Sequence, residues 1–198
     1  MSIPTWATYK SGLEFVKSKS SWINKKRPLT QAIRNNQTIG RAHRICFKKM
    51  SNISKTKSRI INNQIIISHP DSLDYSDKQV QSIATKASIK ALRQQAQSLL
   101  PQRLDILSKT YLLPYRDIQI KQLTRRWGSC DQNKSIVLNL FLIQLPWELI
   151  DYVIIHELTH TKHLNHSLEF WNSLETIKPE ARQLKKLLNK YHPSIIST

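Results

Sequence analysis

The sequence has few glycines, few cysteines and no long apolar run, and each shortage excludes a class of protein. Its 198 residues include three glycines, too few for either common glycine-rich phosphate-binding loop. Two cysteines, Cys46 and Cys130, cannot build a disulfide framework and favour a reducing cytoplasm. No apolar run approaches the roughly 20 residues that a membrane span needs, and the first residues lack a secretory-signal pattern. We therefore expect a soluble, cytoplasmic protein with no membrane partner.

Acidic residues are almost absent from the first third of the chain. The whole chain carries 31 Lys/Arg and 13 Asp/Glu, a net charge of +18. Residues 1–70 hold 14 of the basic residues and one acid, Glu14. Such a field attracts polyanions, so a nucleotide or nucleic acid is an expected partner of this region. However, its basic residues do not alternate with aromatic ones in a base-stacking pattern.

Patterning predicts two regions, a basic, strand-rich N-terminal region over residues 1–70 and a catalytic domain over residues 71–198. The first region has short elements separated by polar residues. They are a helix over Leu13–Ile23, strands over Arg44–Phe47 and Gln64–Ile67, and turns at Thr38–Arg41 and Ser51–Ser58.

The second region predicts helices that flank a pair of strands, so the fold class is α+β. A long helix begins near Ser76, and Pro101 is expected to kink or break it. The predicted strands cover Asp117–Gln122 and Ser135–Asn139, and we expect them to pair antiparallel. Three further helices are predicted from Trp147, over Ser167–Ile177 and over Glu180–Tyr191.

The motif His156-Glu-Leu-Thr-His160 predicts a metal site. Two histidines four residues apart project from one face of a helix, about 6 Å apart along its axis. Their ring nitrogens can then bind one Zn²⁺ at roughly 2.0–2.1 Å. The neighbouring residues 153–155 are apolar, which predicts a buried helix. Buried histidines without a metal would each need a hydrogen-bond partner.

The third zinc ligand has to come from outside this helix, because a catalytic zinc takes three protein ligands and keeps an open position. His166 can reach the metal if the helix ends before it and the chain reverses. Glu169 and Glu175 compete with it, since a second helix can return a carboxylate to the metal. His163 lies about 10 Å along the axis from the first histidine and is expected to stay outside the site. We favour His166, followed by Glu175.

Glu157 follows the first histidine, so it lies beside the metal without binding it. From there it can take a proton from a zinc-activated water and deliver it to the leaving group. This arrangement predicts a zinc-dependent hydrolase, and cleavage of peptide bonds is its leading interpretation.

The segment Arg126-Trp-Gly-Ser-Cys130 has both a substrate-binding and a structural interpretation. Arg126 can bind a phosphate or carboxylate, and the edge strand near Lys121 can align an extended peptide. Trp127 and Cys130 are interpreted as buried structural residues. Core aromatic residues are expected around the metal helix at Trp147, Phe170 and Trp171.

These motifs together resemble the YgjP-like metallopeptidase family. The similarity covers about residues 78–192 and is weaker in the first third of the chain. Its residues are the histidine motif, His166-Ser167, Phe170-Trp171, Arg126–Cys130, Leu138-Asn139, Pro146 and Ile150–Val153, and more weakly Phe15-Val16, Trp22-Ile23 and Gly40.

The resemblance implies a small zincin-like fold with an antiparallel sheet packed on the motif helix. It implies His156, His160 and His166 as zinc ligands and Glu157 as the catalytic acid and base. It also brings an alternative function, because some members are assigned as uridine triphosphate pyrophosphatases. A third hypothesis is a nucleic-acid-associated protein with a zinc site. The basic, strand-forming segment that usually precedes the region matching Leu13–Ile23 is not recognisable here, so we expect a truncated N-terminal region.

Overall fold

The structure, a computed structural model, describes residues 8–20 and 32–196. The chain divides into two units, residues 1–32 and 33–198, and both sheets lie in the second. The division that composition predicts at residue 70 stays a prediction. None of the helices described here is long and apolar enough to cross a bilayer.

The first unit is represented by one helix, α1 (Tyr9–Ser18). Thr8 caps this helix, because its side-chain oxygen accepts a hydrogen bond from the backbone N–H of Ser11. The predicted helix over residues 13–23 overlaps α1, and its end at Trp22 and Ile23 lies outside the described residues.

The first sheet has four strands in the order β1-β2-β4-β3. They are β1 (Thr38–Ile39), β2 (His43–Met50), β3 (Lys57–Ile61) and β4 (Gln64–Pro70). The two predicted strands lie within β2 and β4, which are parallel neighbours. The turns predicted over residues 38–41 and 51–58 were wrong in part, because β1 and β3 begin inside them. Both strands form by hydrogen bonding to a neighbouring strand. For example, Ile60 of β3 lies opposite Ile65 of β4.

A single helix of 34 residues, α2 (Lys78–Tyr111), packs against both sheets. Its buried side chains, such as Leu92 and Leu100, are part of the hydrophobic core. Of the kink or break predicted at Pro101, the break was wrong, because the helix continues through this residue. Proline leaves the carbonyl of Gln97 without its helical donor. Since Gln97 is exposed, water can bind that carbonyl.

The second sheet is mixed and has the order β5-β7-β6. Its strands are β5 (Asp117–Lys121), β6 (Gly128–Cys130) and β7 (Ser135–Asn139). The predicted antiparallel pairing of residues 117–122 with residues 135–139 was wrong, because β5 and β7 are parallel. The antiparallel partner of β7 is β6. A parallel pair requires a crossover of a dozen or more residues. The connection over residues 122–134 is long enough and also supplies β6.

Three short helices follow a 3-10 helix (Leu140–Gln144) and complete the predicted α+β architecture. They are α3 (Trp147–Thr159), α4 (Leu168–Ile177) and α5 (Ala181–Leu188). Arg103 of α2 donates to both carboxylate oxygens of Asp151 on α3, at 2.7 and 2.6 Å. This bidentate pair fixes α3 against α2, while β6 packs on α3 from another side.

Gln95 of α2 ties the tight turn between β1 and β2 to the core. Its Oε1 accepts hydrogen bonds from the backbone N–H groups of Arg41 and Ala42, at 2.7 and 3.2 Å. Its Nε2 donates to the carbonyl of Ile39 at 3.0 Å and to Nδ1 of His43 at 2.8 Å. One buried amide therefore satisfies four polar groups of the turn.

We expect Gln95→Leu to lower the free energy of unfolding by about 2–4 kcal/mol, because leucine leaves four polar groups unpaired, two of them from buried hydrogen bonds. Chemical denaturation measures the effect. Gln94→Leu is the matched control, since Gln94 is exposed on the same helix and its replacement should change stability by less than about 0.5 kcal/mol. Equal losses in the two variants would contradict the role assigned to the hydrogen bonds.

Candidate metal centre

Three histidine side chains converge at the end of α3. His156 and His160 lie one turn apart, and α3 ends at Thr159, so the chain reverses and returns His166 to the same place. One ring nitrogen from each histidine lies within 4.8 Å of the other two. The Nε2 atoms of His156 and His166 are 3.0 Å apart. In the part of the chain that the structure describes, no other group of three His, Cys, Asp or Glu side chains converges in this way.

The orientation of these rings is set by contacts around them. Nδ1 of His160 is 2.9 Å from the carbonyl of His163, which directs Nε2 of His160 toward the other rings. Phe170 of α4 is fully buried and contacts all three imidazoles. The ring centroids of Phe170 and of His156, His160 and His166 are 4.9, 4.6 and 4.8 Å apart. Phe170 is therefore the apolar support on which the histidines pack.

Burial keeps these imidazoles in the neutral form. It lowers the pKa of His156 to about 3, with smaller contributions from His160, His166 and Lys185. Burial is also the main cause that lowers the pKa values of His160 and His166. Metal binding requires deprotonated ring nitrogens, so the three groups are ready to bind at neutral pH.

The donor set fits a divalent transition metal. Two nitrogen ligands of a tetrahedral zinc ion lie about 3.3 Å apart, close to the 3.0 Å between the Nε2 atoms of His156 and His166. Imidazole nitrogens suit zinc and its neighbours in the first transition row. The chain therefore has a candidate metal centre.

The other candidate ligands lie outside this centre. Nε2 of His163 is 3.0 Å from the hydroxyl of Ser173. Glu175 forms an ion pair with Arg182, and Glu169 is exposed on the first turn of α4. The structure thus brings together the three histidines favoured by sequence, whose role as ligands stays a prediction.

Glu157 lies in the same cleft as the histidines and packs against β6. Its side chain is 6% exposed. A Cβ on Gly128 of β6 would be 2.7 Å from Oε1 of Glu157, so only glycine leaves room for this carboxyl group. Burial raises the pKa of Glu157 to about 8, while the charge of Arg126 acts in the opposite direction. Near neutral pH this carboxyl group lies close to its pKa, the range in which a side chain can exchange protons.

Asn139, at the end of β7, holds the Arg126–Cys130 segment beside α3. Its buried side-chain amide donates to the carbonyls of Leu123 and Arg126, each at 2.8 Å. Its backbone N–H donates to the carbonyl of Trp127 at 2.8 Å. These bonds position Arg126 at the rim of the metal centre, a role that the local sequence pattern does not reveal.

A cleft of about 290 Å³ runs over the metal centre. One wall is formed by residues 126–128 and the other by α5, with Lys185 and Asn189. Its lining also includes His156, Glu157 and His166, together with Tyr152, one turn before His156 on α3. Burial, with the charge of Glu157, raises the pKa of Tyr152 to about 12, so its phenol stays a hydrogen-bond donor.

The lining residues Tyr152 and Lys185 are absent from the sequence prediction. Tyr152 could have been found, because it precedes His156 by four residues and shares its helix face. Lys185 carries no such signal, since α5 reaches the cleft only through tertiary packing.

Two predictions about nearby side chains have different outcomes. Burial raises the pKa of the half-buried Cys130 thiol to about 11, which agrees with its interpretation as a structural residue. Trp147 was wrongly predicted to be a core residue, because it is 40% exposed. Its ring instead lies under the guanidinium of Arg41, 4.2 Å from the ring centroid.

Comparison with known proteins identifies one family. The model described as "YgjP-like, metallopeptidase domain" matches residues 1–191. No curated protein matches. Similar solved structures include the metallopeptidase zymogen abylysin of Pyrococcus abyssi, 22% identical, with 50% of this chain and 100% of that chain covered and a TM-score of 0.43. For the zymogen jannalysin of Methanocaldococcus jannaschii, these values are 25%, 46%, 88% and 0.41. None of these findings concerns nucleotides or nucleic acid.

Proposed function

Since the chain belongs to the YgjP-like metallopeptidase family, we propose that it is a zinc-dependent peptidase with His156, His160 and His166 as metal ligands and Glu157 as catalytic acid and base. The observation that supports this most is the convergence of three histidine side chains at a cleft that also contains a buried carboxyl group. Three protein ligands leave a position open for water, as catalytic zinc sites require.

Zinc, when bound, would lower the pKa of a water ligand toward 7 and polarise the scissile carbonyl group. Glu157 accepts the proton of the attacking water on its carboxylate. It then delivers this proton to the amide nitrogen as the peptide bond breaks. Arg126, at the rim of the cleft, binds an oxygen of the substrate.

The edge of the second sheet is suited to an extended substrate. β6 lies at this edge and contacts Glu157 through Gly128. A peptide that pairs with β6 would cross the cleft beside the proposed metal ligands. β5, which contains Lys121, is the opposite edge of the sheet, so we assign main-chain alignment to β6 rather than to the strand near Lys121.

The direct test is hydrolysis by the purified full-length protein in three states: as isolated, stripped by chelator, and reloaded with one equivalent of zinc. The substrates are an unfolded protein mixture and a panel of nucleoside triphosphates. Peptide cleavage that is lost on stripping and restored by zinc supports the proposal. Zinc-dependent release of pyrophosphate without peptide cleavage would replace it with nucleotide hydrolysis. Tight binding to labelled duplex DNA with a steep salt dependence, and neither hydrolytic activity, would favour the nucleic-acid hypothesis.

We expect Gly128→Ala to lower kcat/KM for peptides by about a hundredfold, because the new methyl group displaces the Glu157 carboxyl group from its working position. Zinc content should stay unchanged, since the atoms nearest the added methyl group all belong to Glu157 and not to a predicted ligand. Peptide hydrolysis and metal analysis measure the two effects. Ser129→Ala, one residue further along β6, is the matched control and should retain most of the activity. Full activity in Gly128→Ala would contradict the tight contact between β6 and Glu157.

A further inference from the structure

The cleft over the metal centre has a cation on each wall. Arg126 lies on the β6 side and Lys185 on α5. Neither takes part in the four ion pairs among the described residues. Glu157 is the one carboxylate among the residues that line the cleft. The charge of the cleft is therefore positive before any metal binds.

Lys185 is held in place by an aromatic ring. Its Nζ lies 4.7 Å from the ring centroid of Trp171, and the guanidinium of Arg182 lies 4.8 Å from the same ring. Arg182 is neutralised by Glu175, whereas Lys185 has no carboxylate partner in the described chain. The ring of Trp171 is itself 6.5 Å from that of His166. Cation–π contact thus keeps an uncompensated ammonium group beside the metal centre.

The positive surface continues past Arg126. A second hollow of about 390 Å³ shares Arg126 with the cleft and is also lined by Lys121 and Arg125, with no acidic residue. A substrate that extends from the cleft along β6 therefore meets further positive charge. Carboxylates of a peptide are attracted both to the cleft and to this hollow, whereas lysine or arginine side chains of a peptide are repelled from them.

We propose that Lys185 and Arg126 select peptides that carry a carboxylate close to the cleaved bond. This inference rests on the proposed peptidase function and adds a substrate class to it. The carboxylate can be an Asp or Glu side chain or the free C-terminus of the peptide. Lys185 and Arg126 are then specificity-determining residues, and both line the cleft that contains His156 and His166.

The test measures binding rather than cleavage, so that it does not depend on turnover. The probes are fluorescent ten-residue peptides of Gly, Ala and Ser with blocked ends and either two Glu, two Gln or two Lys residues at the centre. A fourth probe is the Gln peptide with a free C-terminal carboxylate. Anisotropy titrations use zinc-loaded Glu157→Gln protein, alone and combined with Lys185→Gln, Lys185→Glu, Lys185→Arg or Lys186→Glu. Lys186 is exposed on the same helix and does not line the cleft.

We expect the Glu peptide to bind about tenfold more tightly than the Gln peptide. Lys185→Gln should lower this preference, since only Arg126 then remains, and Lys185→Glu should lower it further in favour of the Lys peptide. Lys185→Arg and Lys186→Glu should retain it. If only the peptide with the free C-terminus binds more tightly than the blocked Gln peptide, the carboxylate recognised is the terminal one. Equal effects of Lys185→Glu and Lys186→Glu would overturn the proposal, because net charge would then explain the binding. The absence of binding, or of any preference, would also overturn it. If the Glu peptide is preferred but the zinc-loaded protein with Glu157 intact cleaves no peptide, the proposed peptidase function is contradicted and the charge preference stands.

Discussion

Glu157→Gln is expected to abolish peptide hydrolysis while the protein retains its zinc. The amide has nearly the shape of the carboxyl group but cannot accept the proton of the attacking water. Loss of a general acid and base costs about 10²–10⁴-fold in rate, and here one group is proposed to serve both steps. The side chain is buried against Gly128, so an isosteric replacement preserves the packing. Steady-state peptide hydrolysis and metal analysis of the same preparation measure the two effects.

The control for this experiment is Glu148→Gln, because Glu148 is exposed on the first turn of the same helix. It removes the same charge from α3 at a distance from the cleft and should leave hydrolysis unchanged. Residual activity in Glu157→Gln above one tenth of that of the unsubstituted protein would exclude Glu157 as the proton carrier. Loss of zinc together with activity would show that Glu157 supports the metal site rather than the proton transfer.

His166→Ala is expected to weaken zinc binding by more than a hundredfold and to remove activity with it. Loss of residues that only orient ligands costs 10–100-fold in affinity, and loss of a direct ligand should cost more. His166 is exposed, so alanine there should not unfold the protein. Zinc affinity is measured by competition with a chromophoric chelator, and folding is followed by circular dichroism.

The variant His163→Ala tests whether His163, which lies near the three proposed ligands, contributes to zinc binding. Nε2 of His163 contacts Ser173, and its contribution to the metal centre is a backbone carbonyl that alanine also provides. Zinc affinity should therefore stay within a few-fold of that of the unsubstituted protein. If His163→Ala lost zinc and His166→Ala kept it, the proposed ligand set would be wrong.

Local sequence predicted most of the elements around the site. The spacing of His156 and His160 predicts a shared helix face, and Pro146 predicts the start of α3 at Trp147, as observed. Ser167 caps α4, since its side chain accepts a hydrogen bond from the backbone N–H of Phe170. These features depend on residues within one or two turns of each other, so the sequence specifies them without knowledge of the rest of the chain.

Strand pairing could not be predicted in the same way. The sequences of β5 and β7 are equally compatible with parallel and antiparallel pairing. The direction depends on the path of residues 122–134, which include β6, between the two strands. The continuation of α2 through Pro101 likewise depends on the surroundings: the side of the helix that loses a hydrogen bond is exposed at Gln97.

The amino-acid sequence by itself determined the family, the helix that carries the histidine motif and the three imidazoles that can share a metal ion. Tertiary structure decided what surrounds them: Gly128 against Glu157, Asn139 holding the Arg126 segment, and Lys185 on the opposite wall. The physical reason is the range of the interactions. Helix periodicity and capping act over a few residues, whereas the walls of the cleft come from segments separated by tens of residues that meet only when the core forms.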